Sequence, residues 1–199
     1  MENVVSRRKT MDTSTMVKVG MLSAVSIVLM MFELALPIFP SFLKIDISDL
    51  PALIGAITMG PLAGVMIELI KNVLHLFKTS TAGVGELANF LVGIALVLPI
   101  GLFYKRNKNL VGFIQGTVVG CIIMVVVACA FNYYILIPAY AAAFGAPIEA
   151  FVEIANKVNG SVVDLKTLVL FAIAPFNVVK AVIVAVIGYP LCKLLGKVL

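Results

Sequence analysis

The chain has 199 residues, 62% hydrophobic and 13% charged, with a formal net charge of +5. A soluble domain carries about 45–50% apolar and about 25% charged residues, so this balance, with a mean hydropathy of +1.14, sets the chain apart from soluble domains and points to the bilayer. The basic residues gather in short clusters at the ends of apolar runs, which suits membrane orientation and argues against a nucleic-acid face.

The length suits one domain. A hydrocarbon core about 30 Å thick is crossed by about 20 apolar helical residues. Behind Arg7, Arg8 and Lys9, an apolar run extends from about Val17 to Phe39, with Lys18 at its start and Glu33 interrupting it near its end. That is longer than the core of a signal peptide, and it predicts a retained first span over about 17–38. The stretch 50–77 is long enough for one tilted helix, but Gly60-Pro61 interrupts it. Proline lacks the N–H that would extend a helix and pushes the preceding residue out of the helical region. Further spans are expected over about 84–104, 110–138 and 167–192.

Charge decides how often 50–77 crosses. Lys and Arg collect in cytoplasmic loops. The basic clusters are the N-terminus (Arg7, Arg8, Lys9, Lys18), Lys105-Arg106-Asn107-Lys108, and the C-terminus (Lys193, Lys197). A single crossing puts the middle cluster outside. Two short crossings joined by a Gly-Pro turn put all three inside. The expected architecture is therefore an all-α membrane protein with six transmembrane helices and cytoplasmic N- and C-termini. It consists of an N-terminal tail, 1–16, and a transmembrane domain, 17–195. The outward segments are 40–49, 78–85 and 139–166, the last with a short interfacial helix near 147–157.

Small residues four apart let two backbones approach closely in lipid. Gly112-x-x-x-Gly116-x-x-x-Gly120 suits packing within the chain. Gly20-x-x-x-Ala24, near the cytoplasmic end of the first span, suits such packing or a docking partner equally. Cys121, Cys129 and Cys192 lie in apolar segments without metal spacing, so they read as packing residues and no metal site is expected.

There is no G-x-x-x-x-G-K-[ST] phosphate loop, and His75 is the only histidine, which rules out an H-E-x-x-H site. No G-x-S-x-G elbow occurs. Nothing indicates an enzyme. What remains is polar residues inside apolar spans, each a functional candidate because ionisable groups are costly there. Gly64, Glu68, Lys71, Asn72 and His75 form one helical stripe. Glu68 and Lys71, three apart, are expected to pair, with substrate contact the alternative. Asn177 and Lys180 share a helix face, and Lys180 lies too deep to reach an interface easily. It needs a carbonyl, a carboxylate or a ligand, with a structural ion pair the competing reading. Asn132, followed by Tyr133 and Tyr134, offers two donors and an acceptor beside aromatic rings. Glu86 suits a helix N-terminus, and Asn89 stands one turn inside it. Apolar walls with a few convergent amides describe a site for a flat, mostly neutral heterocycle. The alternating segment from Phe42 to Asp49 suits a strand-like lid above it.

Lys44-Ile45-Asp46-Ile47-Ser48-Asp49-Leu50-Pro51, Gly60-Pro61, Gly85-Glu86-Leu87-Ala88-Asn89-Phe90, Asn132-Tyr133-Tyr134 and Pro175-Phe176-Asn177-Val178-Val179-Lys180 resemble the riboflavin-specific substrate-binding subunits of energy-coupling factor (ECF) transporters, over residues 17–195. The resemblance implies an outward-facing pocket for riboflavin, taken as transported ligand with no cofactor. Asn132, Asn177 and Lys180 would bond the flavin ring or ribityl chain, with Tyr133 beside them. The loop carrying Leu43, Asp46 and Ser48 would cover the site, and Glu86 and Asn89 would add to it. The family also implies a membrane coupling protein and two cytoplasmic ATPase subunits as partners. Its first helix usually carries Ala-x-x-x-Ala for docking, which Gly20 and Ala24 match in size only. The competing readings are a subunit for another vitamin, an ion-coupled carrier using Glu68, Lys71 and His75 as a proton relay, and a structural subunit without a ligand. An obvious duplication, common in ion-coupled carriers, is lacking.

Overall fold

The structure, a computed structural model, describes residues 12–79 and 81–195. Arg7, Arg8, Lys9, Lys197 and most of the expected tail lie outside the described residues. Helix α1 is Thr13–Met30. It buries Val19, Ser23, Ser26 and Met30 and exposes the opposite face, with Met21 and Val25. The helix stops short of the expected end at residue 38. Strand β1, Leu34–Ala35, instead pairs antiparallel with β2, Lys44–Ile45, in the register Leu34 to Ile45. Pro37 and Pro40 cannot continue a helix, and Glu33, just ahead of β1, pairs with Lys44 at 2.8 Å. The lid is thus a two-residue ribbon, because Asp49 already opens the next helix.

Helices α2, Asp49–Thr58, and α3, Pro61–His75, part at Gly60, whose φ of 108° disfavours any side chain. Pro61 then sits in the first turn, where its missing N–H costs nothing. Lys71 meets Asp49. A Cβ at Gly64 would stand 2.7 Å from the Ala56 Cβ and 2.8 Å from the Ala52 oxygen. Late residues of α3 thus face early residues of α2, and the chain reverses at Gly60-Pro61. At 10 and 15 residues, these helices are shorter than the about 20 needed to cross a bilayer alone at right angles.

Helix α4, Val84–Arg106, packs antiparallel to α5, Leu110–Phe131. The glycine ladder makes this contact: a Cβ at Gly116 would lie 2.7 Å from the Ile100 Cα, and one at Gly120 2.7 Å from the Leu96 oxygen. Gly116 and Gly120 therefore pack within the chain. Gly120→Ala should destabilise the protein by about 1–3 kcal/mol, since backbone must move to admit the methyl. Gly20→Ala, with nothing within 4 Å, should melt no lower than the parent. Thermal unfolding in detergent compares the two, and equal melting would refute the close packing.

The apolar helix begun by α5 does not end at Pro138. It passes through a π turn, Asn132–Leu136, into α6, Ile137–Phe144, and closes at Gly145 with φ 61°. Proline deletes one helical hydrogen bond, and the wider turn just before it takes up the mismatch. The amphipathic α7, Ile148–Asn156, buries Phe151, Val152 and Ala155 and stands where the short outer helix was expected. A capping box opens α8, Leu165–Leu168: the Thr167 N–H donates to Asp164 Oδ1 at 2.7 Å. That backbone bond holds the Asp164 carboxyl below its usual range. A second π turn, Val169–Ile173, leads into α9, Ala174–Leu195, again just ahead of a proline, Pro175. Four segments among the described residues are long and apolar enough to cross a membrane: Thr13–Met30, Val84–Arg106, Leu110–Phe144 and Leu165–Leu195. Leu53, Ile67, Leu96, Ile100 and Met124 fill the centre of the bundle.

Candidate ligand-binding cavity

The two π turns place two amides alike. Asn132 opens the first, and its Nδ2 donates to the Ala128 carbonyl one turn back at 2.8 Å. Asn177 follows the second, and its Nδ2 donates to the Ile173 carbonyl at 2.8 Å. Each side chain is pinned by one N–H, which leaves a second N–H and the oxygen for a ligand. They are 7% and 6% exposed, and both line a cavity of about 410 Å³, within the range of small-molecule sites. Leu43 and Asp46 come to it from the lid, Asn89 from α4 and Lys180 from α9. The Asn89 oxygen is buried without a hydrogen-bond partner among the described residues. Aromatic walls complete the cavity: Phe42 edge-on to Phe151 at 5.7 Å between centroids, with Tyr140, Phe144 and Phe176.

Charge is handled next to the cavity. Lys180 Nζ lies 3.3 Å from Asp46 Oδ2 and 3.1 Å from Asp49 Oδ2. The other Asp49 oxygen is 2.7 Å from Lys71 Nζ, which also reaches Glu68 at 2.8 Å and the Ser48 hydroxyl at 3.0 Å. Ser48 donates its N–H to Asp46 Oδ1 at 2.8 Å and accepts from the Ser26 hydroxyl through its carbonyl. Asp49, Glu68 and Lys71 are wholly buried. Gly93 makes room for the Glu68 carboxylate, since a Cβ there would stand 2.6 Å from Oε2. The network joins the lid to α1, α2, α3 and α9. Lys180, expected to hold the ligand, lines the cavity and also pairs with Asp46 of the lid.

A separate polar clasp holds the α3–α4 connection. Glu86 bonds His75 at 2.9 Å, Thr79 at 2.9 Å and Thr81 at 3.1 Å. The polar stripe of α3 is thus divided: Gly64 is packing, Glu68 and Lys71 are the expected structural pair, and His75 is taken by Glu86.

Of the residues singled out in the sequence, Leu43, Asp46, Asn89, Asn132, Asn177 and Lys180 come to one cavity. Ser48, Glu86 and Tyr133 are not among its walls. Ser48 is consumed by the charged network and Glu86 by the clasp. Tyr133 packs edge-on to Tyr134 at 4.9 Å and against the core. Gly20 and Ala24 lie exposed on α1. Of the aromatic lining, Phe42 falls in the expected lid and Phe176 in a quoted motif, whereas Tyr140, Phe144 and Phe151 were not singled out. Tyr140 and Phe144, four apart, carried a helical-face signal. Phe151 carried none, because only the return of α7 over the bundle brings it to the cavity.

Residues 14–192 match the family of substrate-specific components of ECF transporters. The riboflavin transporter FmnP of Bacillus subtilis (strain 168) is 36% identical over 180 residues, 89% of this chain and 89% of that protein. The riboflavin transporter RibU of Staphylococcus aureus (strain TCH60) is 31% identical over 172 residues, 86% of this chain and 85% of that protein. A solved structure of the S component of a bacterial ECF transporter superposes with a TM-score of 0.74 at 28% identity, covering 92% of this chain and 96% of that one.

Proposed function

The chain belongs to the substrate-specific components of ECF transporters, and from that premise we propose that it is the riboflavin-binding subunit of such a transporter. The observation that carries the proposal is the convergence of the Asn132, Asn177 and Asn89 side chains on an aromatic-walled cavity. A flat heterocycle with N–H and C=O groups on its edge needs such a site: carbon faces for the ring and a few amides for the edge. Leu43 and Asp46 close the cavity from the lid. Ser48 and Glu86 support it by holding the lid and the α3–α4 connection, and Tyr133 by packing against the core next in sequence to Asn132.

In this reading α2 and α3 are two short crossings joined at Gly60-Pro61, which makes six spans with both termini cytoplasmic. Residues 1–16 are the cytoplasmic tail and 17–195 the substrate-binding domain. The lid then faces outward, and the Lys105–Lys108 cluster inward. The chain works in the cell membrane with a membrane coupling protein and two cytoplasmic ATPase subunits, the Gly20 and Ala24 face of α1 being open for docking. Energy comes from ATP hydrolysed on those subunits, and the whole subunit tips to deliver its ligand.

Titration of the detergent-purified protein with riboflavin, read by quenching of flavin fluorescence, tests the proposal; the chain has no tryptophan to report instead. Saturable one-to-one quenching is expected. Asn132→Leu and Asn177→Leu should each weaken binding by about 1–3 kcal/mol, the cost of leaving a buried polar partner unmet. Parental affinity in both variants would discard the site. Absence of quenching by folded parent protein would discard riboflavin, and competition among other vitamins would then identify the ligand.

A further inference from the structure

On the outside of the bundle, away from the cavity, Phe113 of α5 meets Tyr189 of α9 with ring centroids 4.8 Å apart. Beside this contact runs an apolar groove of about 390 Å³, walled by Leu110, Phe113 and Ile114 on one side and Val186, Tyr189 and Pro190 on the other. The Thr117 hydroxyl in its floor donates to the Phe113 carbonyl of its own helix at 2.9 Å, so it offers no donor to an occupant.

The groove ends at the basic end of the bundle. Lys105 and Arg106 close α4, Lys108 stands two positions before Leu110, and all three are exposed. Lys193, one turn beyond Tyr189, holds its Nζ 4.9 Å from the centre of the Tyr189 ring. No Asp or Glu occurs between Glu86 and Glu149, nor after Asp164. Neither α5, α9 nor the connection from α4 to α5 therefore carries an acidic side chain at this end.

We infer that the groove seats one acyl chain of an anionic phospholipid, with the headgroup phosphate at Lys193 and Lys108. Basic residues at a helix end serve membrane orientation by themselves. Here they crown a preformed apolar slot, and the Tyr189 ring links the two by lining one and carrying the ammonium of the other. Basic pockets between membrane helices suit anionic headgroups in this way. The slot is also separate from the open face of α1: that helix packs on α2 and α3, whereas α9 packs on α2 and α5. The inference rests on the chain being embedded in a bilayer, not on which ligand fills the cavity.

Native mass spectrometry of the full chain in detergent, counting bound phosphatidylglycerol or phosphatidylcholine of matched chains, tests it. One phosphatidylglycerol should be retained at concentrations where phosphatidylcholine is stripped. Lys193→Ala should weaken phosphatidylglycerol retention about fivefold and leave phosphatidylcholine unchanged. Val186→Trp, at a position 68% exposed and thus free to accept bulk, should fill the slot and abolish retention of the specific lipid. An unchanged melting temperature shows that both variants fold. Equal retention of the two lipids, or unaltered phosphatidylglycerol binding in either variant, would overturn the inference. So would a two-chain mass that Val186→Trp disperses, because a second copy would then occupy the groove.

Discussion

Lys71→Met should lower the melting temperature of the detergent-solubilised protein by roughly 10 °C, corresponding to about 3–5 kcal/mol. Lys71 is wholly buried and bonds two carboxylates that are themselves wholly buried, at 2.7 Å and 2.8 Å. Methionine keeps the volume but removes the cation bonded to Glu68 and one of the two that face Asp49. The loss comes from the stranded carboxylates, not from the attraction deleted. Adding Glu68→Gln should therefore recover part of the stability, an interaction between sites that additive losses cannot produce. Lys44→Met sets the scale: its pair with Glu33 has the same 2.8 Å distance, but the side chains are 50% and 41% exposed. Water already solvates both ions, so the loss should stay below about 1 kcal/mol. Equal melting of Lys71→Met and Lys44→Met would refute the claim that burial gives the network its weight. The network as a whole need not stabilise more than an apolar core would. Its geometric effect is to fix the lid against α2, α3 and α9 in one register.

The parts of this arrangement legible in the sequence were those governed by local chemistry. Gly60-Pro61 announced the reversal between α2 and α3, because that backbone conformation suits glycine and the next position tolerates proline. The spacing of Glu68 and Lys71 announced their pair. The glycine ladder at 112, 116 and 120 announced a close helix contact, although only the fold shows that Leu96 and Ile100 face it. Helix ends were harder to read. Apolarity continues past Met30, yet the chain leaves the helix to pair Leu34 and Ala35 with Ile45 and Lys44 in a ribbon. Apolarity also continues past Pro138, where a π turn lets the helix run on to Phe144. The site divides along the same line. Asn132 and Asn177 stood out as amides in apolar spans and do meet at the cavity. The partners of Lys180 lie 134 and 131 positions away in Asp46 and Asp49, and no local pattern connects them. Ser48 and Glu86 stood out for their polarity, but each satisfies it with protein groups before reaching the cavity.

Lys180→Met should weaken riboflavin binding on the order of 100-fold, and it should do so through the lid. If the ammonium bonded the ligand alone, its loss and the loss of Asp46 would be independent. The double variant would then show the sum of the two single losses. The geometry favours coupling. Lys180 Nζ stands 3.3 Å from Asp46 and 3.1 Å from Asp49, in a place where both acids are nearly or wholly removed from water. Without the cation, Asp46 stands on the cavity wall with no ammonium beside it, Asp49 keeps only Lys71, and the lid that carries Asp46 loses its tie to α9. Removing one partner of a buried ion pair costs about 3–5 kcal/mol, and any share of that cost incurred only in the closed, ligand-bound form appears as lost affinity. Asp46→Asn in the Lys180→Met background should therefore restore binding instead of weakening it further. A coupling of about 0.5–3 kcal/mol is expected between the two positions. Strictly additive losses in fluorescence titrations would assign Lys180 to the ligand and remove the latch. Recovery in the double variant would mean that the residue most conspicuous in the sequence as a ligand contact acts chiefly by holding the cavity shut.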